Sequence, residues 1–146
     1  MKKIGVTFTF LAITAMMMTS CGKYEEGPVF SLRTKTARLT GYWELVKATE
    51  KGITADLSGM KKGYTFIKGG EMKVTTSMLG MTSSFKGEWR FDDSKEILET
   101  RIFEGTEWNE WETAEILRLT NSELWLRDEY TKEGETYTDV LKLEKH

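Results

Sequence analysis

The sequence predicts one all-β domain, an antiparallel up-and-down β-barrel of about eight strands with a short N-terminal helix. Three observations support this prediction. The chain has 146 residues, which suits a single domain. From Gly41 onward apolar and polar residues alternate, as they do in half-buried strands. Turn residues recur at short intervals, and closing so many antiparallel strands into a barrel removes the exposed edges of an open sheet.

The first twenty residues predict a signal peptide. Lys2 and Lys3 precede an uncharged run from Ile4 to Met18, and the small residues Thr19 and Ser20 follow. This order matches the anatomy of a secretory signal. The run is shorter than the ~20 apolar residues that cross a bilayer as a helix. We therefore expect residues 1–20 to be removed, and the mature chain to have no membrane-spanning segment.

Cys21 is the only cysteine of the chain and directly follows this signal. Its position matches a bacterial lipobox, in which the thiol takes up a diacylglycerol before cleavage, so we expect a lipid anchor to a membrane at Cys21. Each buried methylene contributes about 0.8 kcal/mol, and lasting attachment needs more than one acyl chain. The alternative is a buried cysteine in a cytosolic protein.

The segment after the cysteine predicts a lipidated tether over residues 21–30, followed by the domain over residues 31–146. Gly22, Gly27 and Pro28 disfavour regular structure. The pair Glu25 and Glu26 resembles the signal that sends lipoproteins of bacteroidete-type bacteria to the outer face of the outer membrane. We therefore expect an outer-membrane protein, and this resemblance implies exposure at the cell surface; the alternative for these charges is a solvated linker.

The charge balance argues against nucleic acid as a partner. Cleavage after Ser20 would remove two of the 21 basic residues and none of the 23 acidic ones, which leaves the mature chain acidic. Binding to a polyanion depends on a basic patch. No basic run in the chain exceeds two adjacent lysines, as at Lys61 and Lys62.

The elements follow from the pattern in chain order. SLRTKTARL predicts a short helix with Ser31 as its N-cap, and GYWELVKAT a strand with Trp43 and Leu45 on one face. KGITADLSGMKKG is a long connection, and the next strands are separated by predicted turns. These turns are Gly69-Gly70, Asp92-Asp93-Ser94, Glu104-Gly105-Thr106, Thr120-Asn121-Ser122 and Lys132-Glu133-Gly134. The predicted inward residues are Met72, Val74, Met78, Phe85, Trp89, Leu117, Leu124, Leu126, Leu141 and Leu143.

Several segments together resemble lipocalin-like lipoproteins of bacteroidete-type bacteria. They are the Gly41-Tyr42-Trp43 opening in RLTGYWELV, then GEWRF and ILRLTNSELWLRDEY, all behind the lipobox. The T-D-x-x-Y motif of lipocalins is absent, and no arginine in the last strand packs over the tryptophan, where Lys142 is the candidate substitute. The resemblance implies a lipocalin-like barrel whose first long loop, Lys51 to Gly63, acts as a lid.

The sequence gives no support for catalysis, a metal site or a cofactor. The single histidine is His146, so nucleophilic catalysis lacks its base and zinc sites lack their ligands. By alternation Glu99 and Arg101 share one strand face. If that face lines the barrel, they form a buried charged pair of functional interest; the alternative is that the face points outward.

Trp108 and Trp111 lie on one predicted strand at a spacing that puts them on opposite faces. One of them should then be outside, unless a bulge intervenes. An exposed tryptophan can stack on a sugar or anchor an interface. The alternative is that it packs on a neighbour such as Trp125.

Two functions of different classes follow. The first is a non-catalytic module that binds a small apolar ligand inside the barrel, and the second is an interaction protein with a filled core that presents its outer face to a protein or glycan partner. Small-molecule sites have volumes of about 300 to 1,000 Å³, so the cavity decides between them. The residues predicted to contact the ligand are Ile53, Leu57, Met60, Met72, Val74, Met78, Phe85 and Trp89.

Overall fold

A computed structural model of the protein describes residues 33–146, which form one short helix and ten strands. Eight of the strands are long, and two, β2 and β7, contain two residues each. The elements are α1 (Lys35–Leu39), β1 (Gly41–Glu50), β2 (Ile53–Thr54), β3 (Met60–Phe66), β4 (Glu71–Met78), β5 (Met81–Phe91), β6 (Ile97–Glu104), β7 (Glu107–Trp108), β8 (Glu112–Leu119), β9 (Glu123–Lys132) and β10 (Glu135–Lys145).

The eight long strands form a closed antiparallel barrel. Neighbours in the sheet follow the order β1, β3, β4, β5, β6, β8, β9, β10, and β10 pairs with β1 over Trp43 to Thr49. Each strand therefore lies beside its successor in the barrel, and the last returns to the first. The predicted all-β barrel with a short helix is confirmed, and closure leaves none of these eight strands at an open edge.

Helix α1 covers one end of the barrel, which we call the closed end. Its N-cap is Thr34, whose Oγ1 accepts a hydrogen bond from the Ala37 N–H at 3.1 Å, as capping requires. The prediction of Ser31 as N-cap is therefore wrong. Leu39, at the end of the helix, is buried and packs in the core, which fixes the helix against the barrel.

The core at the closed end is built around Trp43, which has no exposed surface. Its indole N–H donates to the Leu39 carbonyl at 2.6 Å. The Nζ of Lys145 lies 5.1 Å from the Trp43 ring and donates to the carbonyls of Arg38 and Thr40 at 2.7 and 2.5 Å. Burial, and then the charge of Arg33, lowers the pKa of Lys145.

Lys145 thus has the place over Trp43 that was predicted for Lys142, and that prediction is wrong. The pairing register explains the difference, because Trp43 lies opposite Lys145, whereas Lys142 lies opposite Trp125. The Nζ of Lys142 is 3.4 Å from the Trp125 ring centre.

A bulge in β8 changes which of its residues face the core. The register with β9 shifts between Ile116 and Arg118, so the residues buried on this strand are Ile116 and Leu119. The prediction that Leu117 faces inward is wrong, because one extra residue reverses the alternation.

The hairpin of β4 and β5 extends beyond the barrel at the end opposite the helix, which we call the open end. Only Gly87 to Phe91 of β5 pair with β6, so the first half of β5 has β4 alone as a neighbour. Met78 and Phe85 are therefore 52% and 44% exposed, and the prediction that they line the interior is wrong. The turn is Leu79-Gly80, with φ of 52° and 78°.

The five predicted turns all lie at junctions between successive strands, with Glu104 and Lys132 still belonging to the ends of β6 and β9. Within residues 33–146, no helix combines the length and the apolar character needed to cross a membrane. The predicted signal peptide (1–20), the tether (21–30) and Cys21 lie outside the described residues and stay predictions.

Candidate functional site

The barrel interior contains a cavity of about 190 Å³ at its open end. Strands β3, β4, β6, β8, β9 and β10 all contribute to its wall. The lining residues are Lys62, Tyr64, Phe66, Met72, Leu98, Thr100, Ile102, Glu112, Thr113, Ala114, Leu126, Asp128, Leu141 and Leu143.

The floor of the cavity is apolar. Phe66, Met72, Leu98, Leu126 and Leu143 belong to the buried core and also line the cavity. Their side chains alternate along the strands with polar residues that face solvent, as a half-buried sheet requires. The lower half of the interior is filled, as in other small barrels, and the free volume remains above it.

The rim of the cavity is polar and carries charges of both signs. Lys62, Glu112 and Asp128 line the cavity. Asp128 lies directly opposite Asp139 in the pairing of β9 with β10, and Tyr130 lies opposite Tyr137, with ring centres 5.7 Å apart. Going up the inner face of β9 and β10, the residue pairs therefore change from leucines to aspartates and then to tyrosines.

The carboxylates at the rim are close enough to act on Tyr130. Partial burial raises the pKa of its hydroxyl, and the negative charges of Asp139, Glu50 and Asp128 raise that pKa further. Asp139 also accepts a hydrogen bond from the Lys51 backbone N–H at 2.9 Å. Among residues 33–146, no three acidic or histidine side chains converge in a way that could hold a metal ion.

The structure divides the eight residues predicted to contact a ligand among four places. Met72 lines the cavity, and the other seven do not. Val74 and Trp89 are buried in the core, with the Trp89 indole N–H donating to the Ile67 carbonyl at 2.9 Å. Phe85 lines a shallow surface depression beside Lys73 and Lys86.

The remaining predicted residues lie at the rim. Leu57, Met60 and Met78 line an open groove of about 550 Å³ between the loop after β2 and the tip of the β4–β5 hairpin. Ile53 is 73% exposed. The segment Lys51 to Gly63, predicted to be a lid, thus contributes Lys62 to the cavity, while its apolar side chains lie on the rim.

Apolar alternation alone does not identify the charged residues at the rim. A usable signal was present in SELWLRDEY. Alternation from Leu124 and Leu126 continues to Asp128 and Tyr130 on the same face. A charge that continues an inward row marks the depth at which the interior meets solvent.

The outer face of β5 and β6 carries a cluster of aromatic and charged side chains. The guanidinium of Arg101 lies 4.8 Å from the Trp108 ring centre and 4.7 Å from that of Trp111, so both tryptophans contact it on the outside. The predicted placement on opposite faces of one strand is wrong, because the strand is interrupted after β7. The contact with Trp125 that was the alternative is also not formed: Trp125 lies beside Arg118 and Lys142.

Glu99 and Arg101 point outward, which is the second of the two alternatives for this pair. Each forms a cross-strand ion pair with β5, Glu99 with Arg90 and Arg101 with Glu88. These pairs are partly solvated and belong to the outer cluster, so they form no part of the cavity.

No protein-family model and no curated protein matches the chain. Insecticyanin from the tobacco hornworm Manduca sexta, a lipocalin, is similar to it in structure, with a TM-score of 0.59 over 86% of this chain and 69% of insecticyanin, at 9% identity. The chain has a lipocalin-like fold. A second lipocalin, apocrustacyanin C2, has a TM-score of 0.50 at 12% identity. That match includes 75% of this lipocalin-like chain and 61% of apocrustacyanin C2.

Proposed function

We propose that this protein is a non-catalytic binding module, a lipoprotein of the bacterial outer membrane whose lipocalin-like barrel holds a small, largely apolar ligand. The observation that carries the proposal is the cavity of about 190 Å³, with an apolar floor and an opening toward solvent. This volume is below the ~300 to 1,000 Å³ of sites for drug-sized molecules. The ligand is therefore small.

The outer cluster supports a second function. Trp108 and Trp111 are partly exposed on either side of Arg101, and aromatic and arginine side chains are the common anchors of interfaces. In this alternative the barrel interior is only a core, and the outer face binds a protein or glycan.

Native mass spectrometry tests the first function against the second. The protein is purified without detergent and weighed before and after extraction with organic solvent. We expect a stoichiometric adduct that leaves on extraction and whose mass identifies the ligand. A bare polypeptide mass from freshly isolated, unextracted protein, together with capture of a glycan or protein that Trp108→Ala abolishes, would favour the outer face instead.

A further inference from the structure

Three methionines lie side by side at the open end, and we call them the methionine row: Met60, Met78 and Met81. They belong to three neighbouring strands, β3, β4 and β5. Met60 lies directly opposite Met78, and Met78 lies directly opposite Met81 across the hairpin turn. Residues 33–146 contain one further methionine, Met72. The row therefore brings together three of the four thioethers in the described part of the chain.

The pairing register places the three side chains on one face of the sheet. Residues directly opposite each other in an antiparallel pair have Cβ atoms about 4.5 to 5.5 Å apart on the same face. Met72 and Val74 are buried, and alternation along β4 puts Met78 on the same inward face. The inner face of a barrel wall is concave, so long side chains on neighbouring strands converge above it.

The methionine row is accessible to a dissolved ion. Met78 and Met81 are 52% and 72% exposed, and Met60 is half-buried. Met60 and Met78 also line the open groove at this rim. A side chain that is mostly exposed contributes little to the core, and leucine fills apolar space about as well as methionine does. Packing therefore does not account for the thioethers at these positions.

The surroundings of the row leave sulfur as its main donor. In the part of the chain that the structure describes, no group of three acidic, histidine or cysteine side chains is placed to hold a metal ion. Lys62 follows Met60 on the same face of β3, and its Nζ lies 5.5 Å from the Tyr64 ring centre. Its ammonium group is therefore directed along β3 toward the cavity, away from Met60.

We propose that the methionine row binds a soft monovalent metal ion, Cu(I), through the Sδ atoms of Met60, Met78 and Met81. Thioethers are soft ligands that select Cu(I), whereas Zn²⁺ is bound by thiolate, imidazole and carboxylate groups. Methionine is unbranched and has three rotatable bonds, so each sulfur can turn toward the ion while the backbone stays in place. The site lies outside the cavity and does not depend on the proposed apolar ligand.

Silver(I) is the first probe, because it is as soft as Cu(I) and is not oxidised by air. The readout is the methyl resonances of the full chain labelled with ¹³C-methyl methionine, in chloride-free buffer. Every sample carries Cys21→Ala, because a thiol also binds soft ions. We expect Ag(I) to shift Met60, Met78 and Met81 with one common midpoint, while the buried Met72 does not shift. Zn²⁺ at the same concentrations should shift none of the four.

Met78→Leu tests the centre of the row. This swap keeps the volume and the apolar character of the side chain, and the urea midpoint checks that the variant folds. Substitutions that only disturb the support of a metal ligand cost about 10- to 100-fold in affinity. We therefore expect Met78→Leu to weaken Ag(I) binding at least about tenfold, as read from Met60 and Met81. Met81→Leu should have the same effect, as read from Met60 and Met78.

A double variant, Met78→Leu with Ser77→Met, is the matched control. It restores the number of methionines but places the thioether on the outer face of β4 by alternation. We expect it to bind Ag(I) as weakly as Met78→Leu does. Recovery of the wild-type affinity would show that any exposed thioether suffices, and would overturn the proposal.

The remaining outcomes are equally direct. Cu(I), kept reduced with ascorbate under argon, should reproduce the shifts that Ag(I) causes. Separate midpoints for the three resonances would indicate independent weak contacts and would overturn the shared site. Equal shifts with Zn²⁺ would overturn the selection of a soft ion. The proposal would also fail if neither Ag(I) nor Cu(I) shifted the row up to millimolar concentration.

Discussion

At the scale of single residues, Trp43 is the side chain on which the closed end depends. It is fully buried, donates to Leu39 and is covered by Lys145. We predict that Trp43→Ala lowers the free energy of unfolding by about 3 to 5 kcal/mol, as large core deletions do. Urea denaturation measures this loss as a lower unfolding midpoint, with the dependence of the free energy on urea concentration unchanged.

Trp125→Ala is the control for this prediction. Trp125 is partly exposed on the outer face, and its contacts are with the side chains of Lys142 and Arg118. Such cation–π contacts contribute about 0.5 to 1 kcal/mol at exposed sites. A similar loss for the two tryptophans would mean that Trp43 is not the centre of the closed-end core.

Alternation predicted the inward positions of Trp43, Met72, Val74 and Trp89 correctly, because period two is a local property of a strand. It could not identify Lys145 as the cation over Trp43. That contact depends on the register between β1 and β10, which joins two segments about a hundred residues apart. No local pattern in the sequence specifies such a register.

At the scale of elements, the β4–β5 hairpin has a turn residue that is poorly suited to its conformation. Leu79 has a φ of 52° before Gly80 and is 81% exposed. A left-handed conformation costs an L-residue about 1 to 2 kcal/mol, and Asn tolerates it best among residues other than Gly. We predict that Leu79→Asn raises the free energy of unfolding by about 1 kcal/mol.

Leu79→Ala is the matched control, since alanine keeps the unfavourable φ while removing the apolar side chain. It should change stability little. The prediction would be contradicted if both variants lowered the free energy of unfolding by a similar amount. The side chain of Leu79 would then contribute packing that outweighs the strain.

The turn between β5 and β6 is organised by one carboxylate and should respond to pH. Asp92 accepts hydrogen bonds from the Ser94 hydroxyl at 2.5 Å and the Ile97 N–H at 2.9 Å. These bonds lower the pKa of Asp92 from 3.8 to about 2. Because the folded pKa is below the unfolded one, this stabilisation is complete above pH 3.8 and is lost as pH falls toward 2.

We therefore predict that the urea midpoint of the wild-type protein falls between pH 5 and pH 2 more steeply than that of Asp92→Asn. Asp93→Asn serves as the control, because Asp93 lies in the same turn and is exposed. Parallel pH profiles for the wild type and Asp92→Asn would contradict the prediction.

The turns of the barrel were predictable because Gly, Asn, Asp and Ser mark them locally. The interruption between β7 and β8 was not predictable from the sequence. EWNEWETAEILRL alternates well enough for one strand, yet Asn109 to Trp111 leave the sheet and bring both tryptophans to Arg101. This contact with a neighbouring strand is a tertiary effect that alternation does not contain.

At the scale of the whole molecule, the barrel followed from the number of strands and the need to close their edges. The size and lining of the cavity could not be predicted from the sequence in the same way. Its volume depends on how side chains from six strands meet, and its charged lining residues, Lys62, Glu112 and Asp128, come from three of those strands. The residues predicted to contact a ligand were therefore all apolar, whereas the charged residues that line the cavity, Lys62, Glu112 and Asp128, were not predicted.

The proposed attachment of the molecule to a membrane would depend on one thiol, that of Cys21. We predict that Cys21→Ala abolishes incorporation of radioactive palmitate in cells, because Cys21 is the only cysteine of the chain and would be the acceptor. Cys21→Ala protein should remain folded, which circular dichroism can check. Labelling that persists in the variant would contradict the lipid anchor.

The position of helix α1 has a consequence for the direction in which the protein would face. Arg33, Lys35 and Arg38 hold the start of the domain against turns and strands of the closed end. The described part of the chain therefore begins at the closed end, so the mouth of the cavity opens on the side of the barrel away from Arg33. If Cys21 carries the proposed anchor, a solute reaches this mouth without passing the point at which the chain joins the barrel.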